Sequence, residues 1–98
     1  MTINKTQNGS ELLLALSGRL DTTTAPQLEA ELKNSLDGVT RLEMDFAGLE
    51  YISSAGLRVL LAAQKTMNKQ GEMVLRNVCE DIMEVFDITG FSDILKIQ

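Results

Sequence analysis

Histidine is absent from this chain. Without an imidazole there is no Ser-His-Asp or Cys-His catalytic site, and every metal site built on histidine ligands goes with it. Cysteine is nearly absent: Cys79 stands alone, so no disulfide can form within the chain. A lone thiol and the lack of a signal-like start together point to a reducing cytoplasm. No apolar run approaches the ~18 residues of a membrane helix, so direct membrane insertion is not expected. Glycine-rich phosphate loops of either common pattern are missing. No lysine stands at a recognisable spacing to activate a serine. Basic residues are outnumbered, nine against fourteen acidic, for a net charge of -5. That balance disfavours nucleic acid, which calls for a basic stripe, and has the wrong sign for an anionic membrane surface. Paired carboxylates are so common in an acidic chain that Asp21 with Asp45 does not specify glycosidase chemistry. The residues indicate no cofactor, no metal and no catalytic activity.

What remains is a good core. The chain has 98 residues, 44% of them hydrophobic, which suits one α/β domain over residues 1–98. Residues 1–8 read as a short strand or loose arm, and Asn8-Gly9 as a hairpin turn. Leu12 to Leu16 form a strand whose continuous apolar character suggests cover on both faces, ended by Ser17-Gly18. Thr24 and Pro26 open a helix that runs to about Leu36, with Leu28, Leu32 and Leu36 on one stripe. Arg41 to Phe46 alternate as a strand, with a loop over 47–53. Asp45 then lies near the strand's C-terminal end, where recognition collects in α/β sheets. A second, largely apolar helix covers about Ala55–Asn68, with Arg58, Lys65 and Lys69 on its wet edge. Glu72 to Arg76 form a strand, Cys79-Glu80-Asp81 start a short helix, and Ile94 to Ile97 form a last strand. Met44, Met67, Met73 and Met83 read as core filler. Strands alternating with amphipathic helices predict a mostly parallel sheet with a hairpin at one edge.

The chain turns on Ser53-Ser54 at the start of the second helix. Either hydroxyl suits a helix cap, with Gly56 allowing a close approach, and that reading needs no function. The same geometry suits a switch. A phosphate on Ser54 would meet free N–H groups and the positive end of the helix dipole, and would add about two negative charges. Asp21 reads as a turn or capping acid and Asp45 as a solvated strand-end residue. If both lie beside Ser54, they form an acidic rim around it.

Four stretches carry a family resemblance. They are Leu16-Ser17-Gly18-Arg19-Leu20-Asp21, Met44-Asp45-Phe46-Ala47-Gly48-Leu49, Tyr51-Ile52-Ser53-Ser54-Ala55-Gly56-Leu57, and the C-terminal half from Gly71-Glu72-Met73-Val74-Leu75 to Val85-Phe86-Asp87-Ile88-Thr89-Gly90-Phe91. Over nearly its whole length the chain resembles a STAS domain, most of all the small stand-alone bacterial anti-sigma factor antagonists. The resemblance implies the STAS fold and a regulator that is not itself an enzyme. Such a protein binds a serine-kinase anti-sigma factor when unphosphorylated and so releases the sigma factor. The kinase phosphorylates one serine at a helix start, binding is lost, and a serine phosphatase restores it. Laid on this chain, the phosphoacceptor falls on Ser54, with Ser53 as runner-up, and the motif glycine on Gly56. Ser53 stands where the family usually has aspartate, Ala55 where it has a hydroxyl residue, and Arg19 where it usually has an acid. The expected partner surface comprises Asp21, Thr22, Thr23, the loop 47–53, Ser54, Gly56 and the helix face at Arg58, with Asp45 beside it, because these belong to neighbouring loops around one helix N-terminus. The family also holds members that are never phosphorylated. They are interaction modules of transporters, lipid importers among them, or of stress-sensing assemblies.

Overall fold

Leu12, Leu14 and Leu16 share one side of a strand, and the chain folds to bury that side. The computed structural model describes residues 1–98. Strand β1 (Thr2–Asn8) turns at Gly9 into β2 (Glu11–Leu20), and the two pair antiparallel. Helix α1 (Ala25–Ser35), β3 (Arg41–Ile52), α2 (Ser54–Gln70), β4 (Glu72–Arg76), α3 (Glu80–Thr89), a 3-10 turn (Phe91–Asp93) and β5 (Lys96–Ile97) follow. The sheet order is β1-β2-β3-β4-β5, with every pair after the first parallel. Successive parallel crossovers of one hand that step in one direction place their helices on one face of a sheet.

Burial agrees with that placement. In register, Leu12 lies beside Leu42 and Met73, and Leu14 beside Met44 and Leu75; all six are buried. Phe46 meets Phe86 of α3 with ring centroids 6.5 Å apart, which ties the third helix to the central strand. The other face of the sheet carries no helix. There Arg41 pairs with Glu72 and Glu43, Arg76 with Glu43, and Lys96 with Glu72. Val74, in register with Glu43 and Lys96, is fully buried among these long side chains, whose aliphatic stems cover it.

Three expectations are corrected. The leucine run of β2 is covered on one face only; Leu13 and Ala15 point to the open face and are half-buried. Ser17-Gly18 do not end β2, which continues to Leu20. The segment 47–53 is not a loop, because β3 runs unbroken to Ile52. The extensions survive because they pair with each other: Ser17 lies opposite Gly48, Gly18 opposite Leu49, and Leu20 opposite Ile52, with irregularities after Ala15 and Gly18. Gly48 is required there, since a Cβ on it would stand 2.7 Å from Ser17 Cβ. Smaller shifts occur at helix ends and surfaces. α2 begins at Ser54 and ends at Gln70, Ala62 is exposed, Cys79 is an exposed N-cap residue, and Ile94 precedes the last strand.

Candidate functional site

The paired ends of β2 and β3 build the site. Leu20 and Ile52 are register partners, and the Ser53 N–H donates to the Leu20 carbonyl at 2.9 Å. The chain then leaves both strands at the same level, into the turn before α1 and into the first turn of α2. Gly56 lets these parts close together. A Cβ at this position would lie 2.7 Å from Leu20 Cγ and 2.9 Å from Ile52 Cγ1. The bare glycine therefore seats the start of α2 directly on the two strand ends.

The two serines have different work. Ser53 is the N-cap: its Oγ accepts from the Gly56 N–H at 3.4 Å, and it is half-buried. Ser54 is the first residue of the helix, exposed, and its hydroxyl makes no hydrogen bond within the protein. As an exposed residue of the first turn, it stands where an added anion is favoured. The first turn contains no acidic residue to oppose one.

Asp21 is a capping acid with several ligands. Its Oδ1 accepts from the Thr23 hydroxyl at 2.8 Å, the Thr23 N–H at 3.0 Å and the Thr24 N–H at 3.1 Å. The Thr23 hydroxyl bond is the chief reason the Asp21 carboxyl sits below the usual range; the Thr24 and Thr23 N–H groups add to it against an opposing desolvation. Thr24 occupies the N-cap position of α1, but its hydroxyl does not cap the helix. It lies instead 2.8 Å from the Arg19 carbonyl and accepts from the Asp21 N–H at 2.9 Å. Thr22 and Thr23 are exposed on the same turn.

Asp45 is elsewhere. With β3 continuing to Ile52, Asp45 lies in the first half of the strand, in register with Ala15 and Arg76. Its Oδ1 accepts from Asn77 Nδ2 and from the Ala47 N–H, both at 2.9 Å. Those two bonds, Asn77 first, lower its carboxyl below the usual range. Asp45 thus ties β3 to the turn after β4 and does not join Asp21 in a rim around Ser54. The structure brings together Asp21, Thr22, Thr23, Ser53, Ser54 and Gly56, with Arg58 one turn along α2.

One pair was not anticipated. Arg19 and Tyr51 are cross-strand partners, and the guanidinium carbon lies 4.1 Å from the ring centroid. Arg19 also reaches Asp21, Nε to Oδ2 at 3.7 Å. Tyr51 is 40% exposed, so a stacked aromatic–cation pair stands at the edge of the site. Its signal is the register of two strands that looked too short to pair there. An open groove of about 330 Å³ runs between α1 and α2, lined by Leu32, Leu36, Val59, Ala63 and others; its α2 residues begin at Val59, beyond the Ser54 turn. No three Cys, Asp or Glu side chains converge as metal ligands. No helix is long and apolar enough to cross a membrane.

Comparison with known proteins agrees with this architecture. The STAS domain model matches residues 2–98. BtrV of Bordetella bronchiseptica, which is named for an anti-sigma factor antagonist, is 43% identical over 88 residues, covering 88% of this chain and 76% of BtrV. The anti-sigma-B factor antagonist of Bacillus subtilis is 30% identical over 99 residues, covering 100% of this chain and 91% of its own. Among solved structures, the Bacillus cell fate determinant SpoIIAA in its phosphorylated form superposes with a TM-score of 0.77 at 19% identity, over 99% of this chain and 91% of that one. With a family model spanning its five-stranded sheet and three helices, the chain belongs to the STAS domain family.

Proposed function

We propose that this protein is an anti-sigma factor antagonist switched by phosphorylation of Ser54. Unphosphorylated, it binds a serine-kinase anti-sigma factor and so frees the sigma factor. The kinase moves the γ-phosphoryl group of ATP to Ser54 Oγ, the hydroxyl proton leaves, and the complex dissociates. A serine phosphatase hydrolyses the ester and restores binding. The partner meets the surface of Asp21, Thr22, Thr23, Ser53, Ser54 and the α2 face at Arg58.

The observation that carries this reading is the division of labour between the serines. Ser53 is engaged as the cap, while Ser54 Oγ is exposed and unbonded at the first position of α2. The names of the relatives from Bordetella and Bacillus support the regulatory role. The free hydroxyl supports Ser54 over Ser53 as the acceptor. Bulk and charge on Ser54 then oppose docking directly, because electrostatic mismatch at an interface costs affinity.

The test is site-resolved mass spectrometry after incubation with ATP and the serine-kinase anti-sigma factor from the same organism. One phosphate on Ser54, absent in Ser54→Ala, is the expected result. No phosphate, under conditions where that kinase modifies a known substrate, would overturn the switch in favour of a constitutive binding module.

A further inference from the structure

Helix α2 contains Arg58, Lys65 and Lys69 and not one Asp or Glu, in a chain whose net charge is -5. All three cations are exposed and none forms an ion pair, whereas every other lysine and arginine has a carboxylate partner at 3.9 Å or closer. The unpaired lysine and arginine side chains are thus confined to one helix. At 3.6 residues per turn, Ser54, Arg58, Ala62, Lys65 and Lys69 fall within about 80° of one another around its axis. All five are exposed. They form one stripe, with Ser54 at its first end and Arg58 four residues on.

That spacing has a consequence for a phosphate. Helical side chains lean toward the N-terminus, so Arg58 extends back over the turn that holds Ser54. An anion four residues before a cation is the favourable order for such a pair. A phosphate oxygen pair matches the two-pronged guanidinium, and no first-turn acid competes for it. Before modification, the same guanidinium has no partner inside the protein and is open to a carboxylate from outside.

We propose that Arg58 serves two anions in turn: a carboxylate on an acidic face of the anti-sigma factor while Ser54 is free, and the phosphate of Ser54 itself once it is modified. This rests on the antagonist reading above and adds the chemistry of the partner and the route by which the phosphate acts. The free α2 stripe is complementary to an acidic surface. Phosphorylation then weakens docking twice. It withdraws the first cation of the stripe into an internal pair, and it sets two negative charges against the partner's acids.

The experiment uses the full chain with phosphoserine incorporated at position 54 during synthesis, so the modified state does not depend on the kinase. The second ionisation of the phosphate is followed by phosphorus NMR against pH in the wild type, Arg58→Ala, Arg58→Lys and Lys69→Ala. A nearby cation favours the doubly charged form, so Arg58→Ala is expected to raise the midpoint by about half a unit, Arg58→Lys by less, and Lys69→Ala not at all. Identical midpoints in the wild type and Arg58→Ala would overturn the internal pair. In parallel, calorimetry with the anti-sigma factor is expected to show unmodified Arg58→Ala binding about tenfold more weakly than wild type. Phosphoserine at 54 should cost the variant a smaller factor than it costs the wild type, because the two changes remove the same cation. Unmodified Arg58→Ala that binds as tightly as wild type, or a phosphoserine penalty of the same factor in both, would overturn the shared role. A wild-type chain that does not bind the anti-sigma factor at all overturns the antagonist reading instead, and the NMR titration still decides whether Arg58 holds the phosphate.

Discussion

Gly56 rests against Leu20 so closely that a single added methyl on its Cα would stand 2.7 Å from Leu20 Cγ. The start of α2 is therefore positioned by the end of β2, three elements earlier in the chain. Gly56→Ala should push the first turn of α2 off the paired strand ends. The expected loss is about 2 kcal/mol, typical of an overpacked core position. In a domain of this size that lowers the melting temperature by roughly 8–16 °C. Because the same turn carries Ser54, the variant should also be phosphorylated more slowly at a temperature where it remains folded. A melting temperature equal to wild type would show that Leu20 and Ile52 yield without cost.

Asp21 should behave as a cap more than as an active acid. Its carboxylate accepts two backbone N–H groups and the Thr23 hydroxyl. Asp21→Ala leaves those donors to water and should lower the midpoint of urea unfolding. The pH dependence has a definite sign. The bonds from Thr23 and Thr24 hold the folded-state carboxyl below the ordinary aspartate range, so the folded form favours the ionised group. Its stabilising contribution is complete above the ordinary aspartate range and is lost as pH falls through the lower folded-state range. Carbon NMR of the carboxyl should show Asp21 and Asp45 both titrating below an ordinary aspartate, and Asn77→Ala should return Asp45 toward the ordinary range.

The sequence made the helices legible and the sheet less so, for a physical reason. Helix signals are local. Thr24 with Pro26, Ser53 with Gly56, and Cys79 before two acids each sit within one turn of the start they mark. Strand extent depends on a partner far away in the chain. Gly18 and Gly48 look like breaks in isolation, yet Ser17 meets Gly48 and Gly18 meets Leu49 in the ladder, where Gly48 leaves room for Ser17 and Gly18 takes a positive φ of 95° beside the irregularity. Reading Ser17-Gly18 as an end and 47–53 as a loop shortened β2 and β3. It also moved Asp45 to a strand end it does not occupy, and hid the pairing of Arg19 with Tyr51. Ser54, Ser53, Gly56 and Asp21 were found because each is defined by its own turn.

Gly71 is held by a contact with Thr40. A Cβ on it would fall on the Thr40 carbonyl and lie 2.8 Å from Thr40 Cα, and that same carbonyl accepts the Glu72 N–H at 3.0 Å. The obstacle is backbone, which cannot swing aside as a side chain can. Gly71→Ala should therefore break the entry into β4 and cost about 3 kcal/mol or more. The measurement is the chemical-denaturation midpoint. A change under about 0.5 kcal/mol would mean that the turn between α2 and β4 has room to move.

Ser53 and Ser54 make opposite predictions, although they are neighbours of the same type. Ser53→Ala removes the oxygen that accepts the Gly56 N–H, at a length of 3.4 Å that places it at the weak end for a cap. It should cost about 0.5–1 kcal/mol and leave phosphorylation of Ser54 intact. Ser54→Ala removes a hydroxyl with no partner inside the protein, so stability should stay within about 0.5 kcal/mol of wild type. It should nonetheless abolish the phosphate and lock the protein in its binding form. Ser54→Asp should weaken binding, but less than true phosphoserine. A carboxylate brings one negative charge and two oxygens, against about two charges and three oxygens for phosphate. Melting curves and phosphate incorporation on the three variants separate the roles. If Ser53→Ala loses the phosphate while Ser54→Ala keeps it, the acceptor is the capping serine, and the helix start must open before the kinase can act.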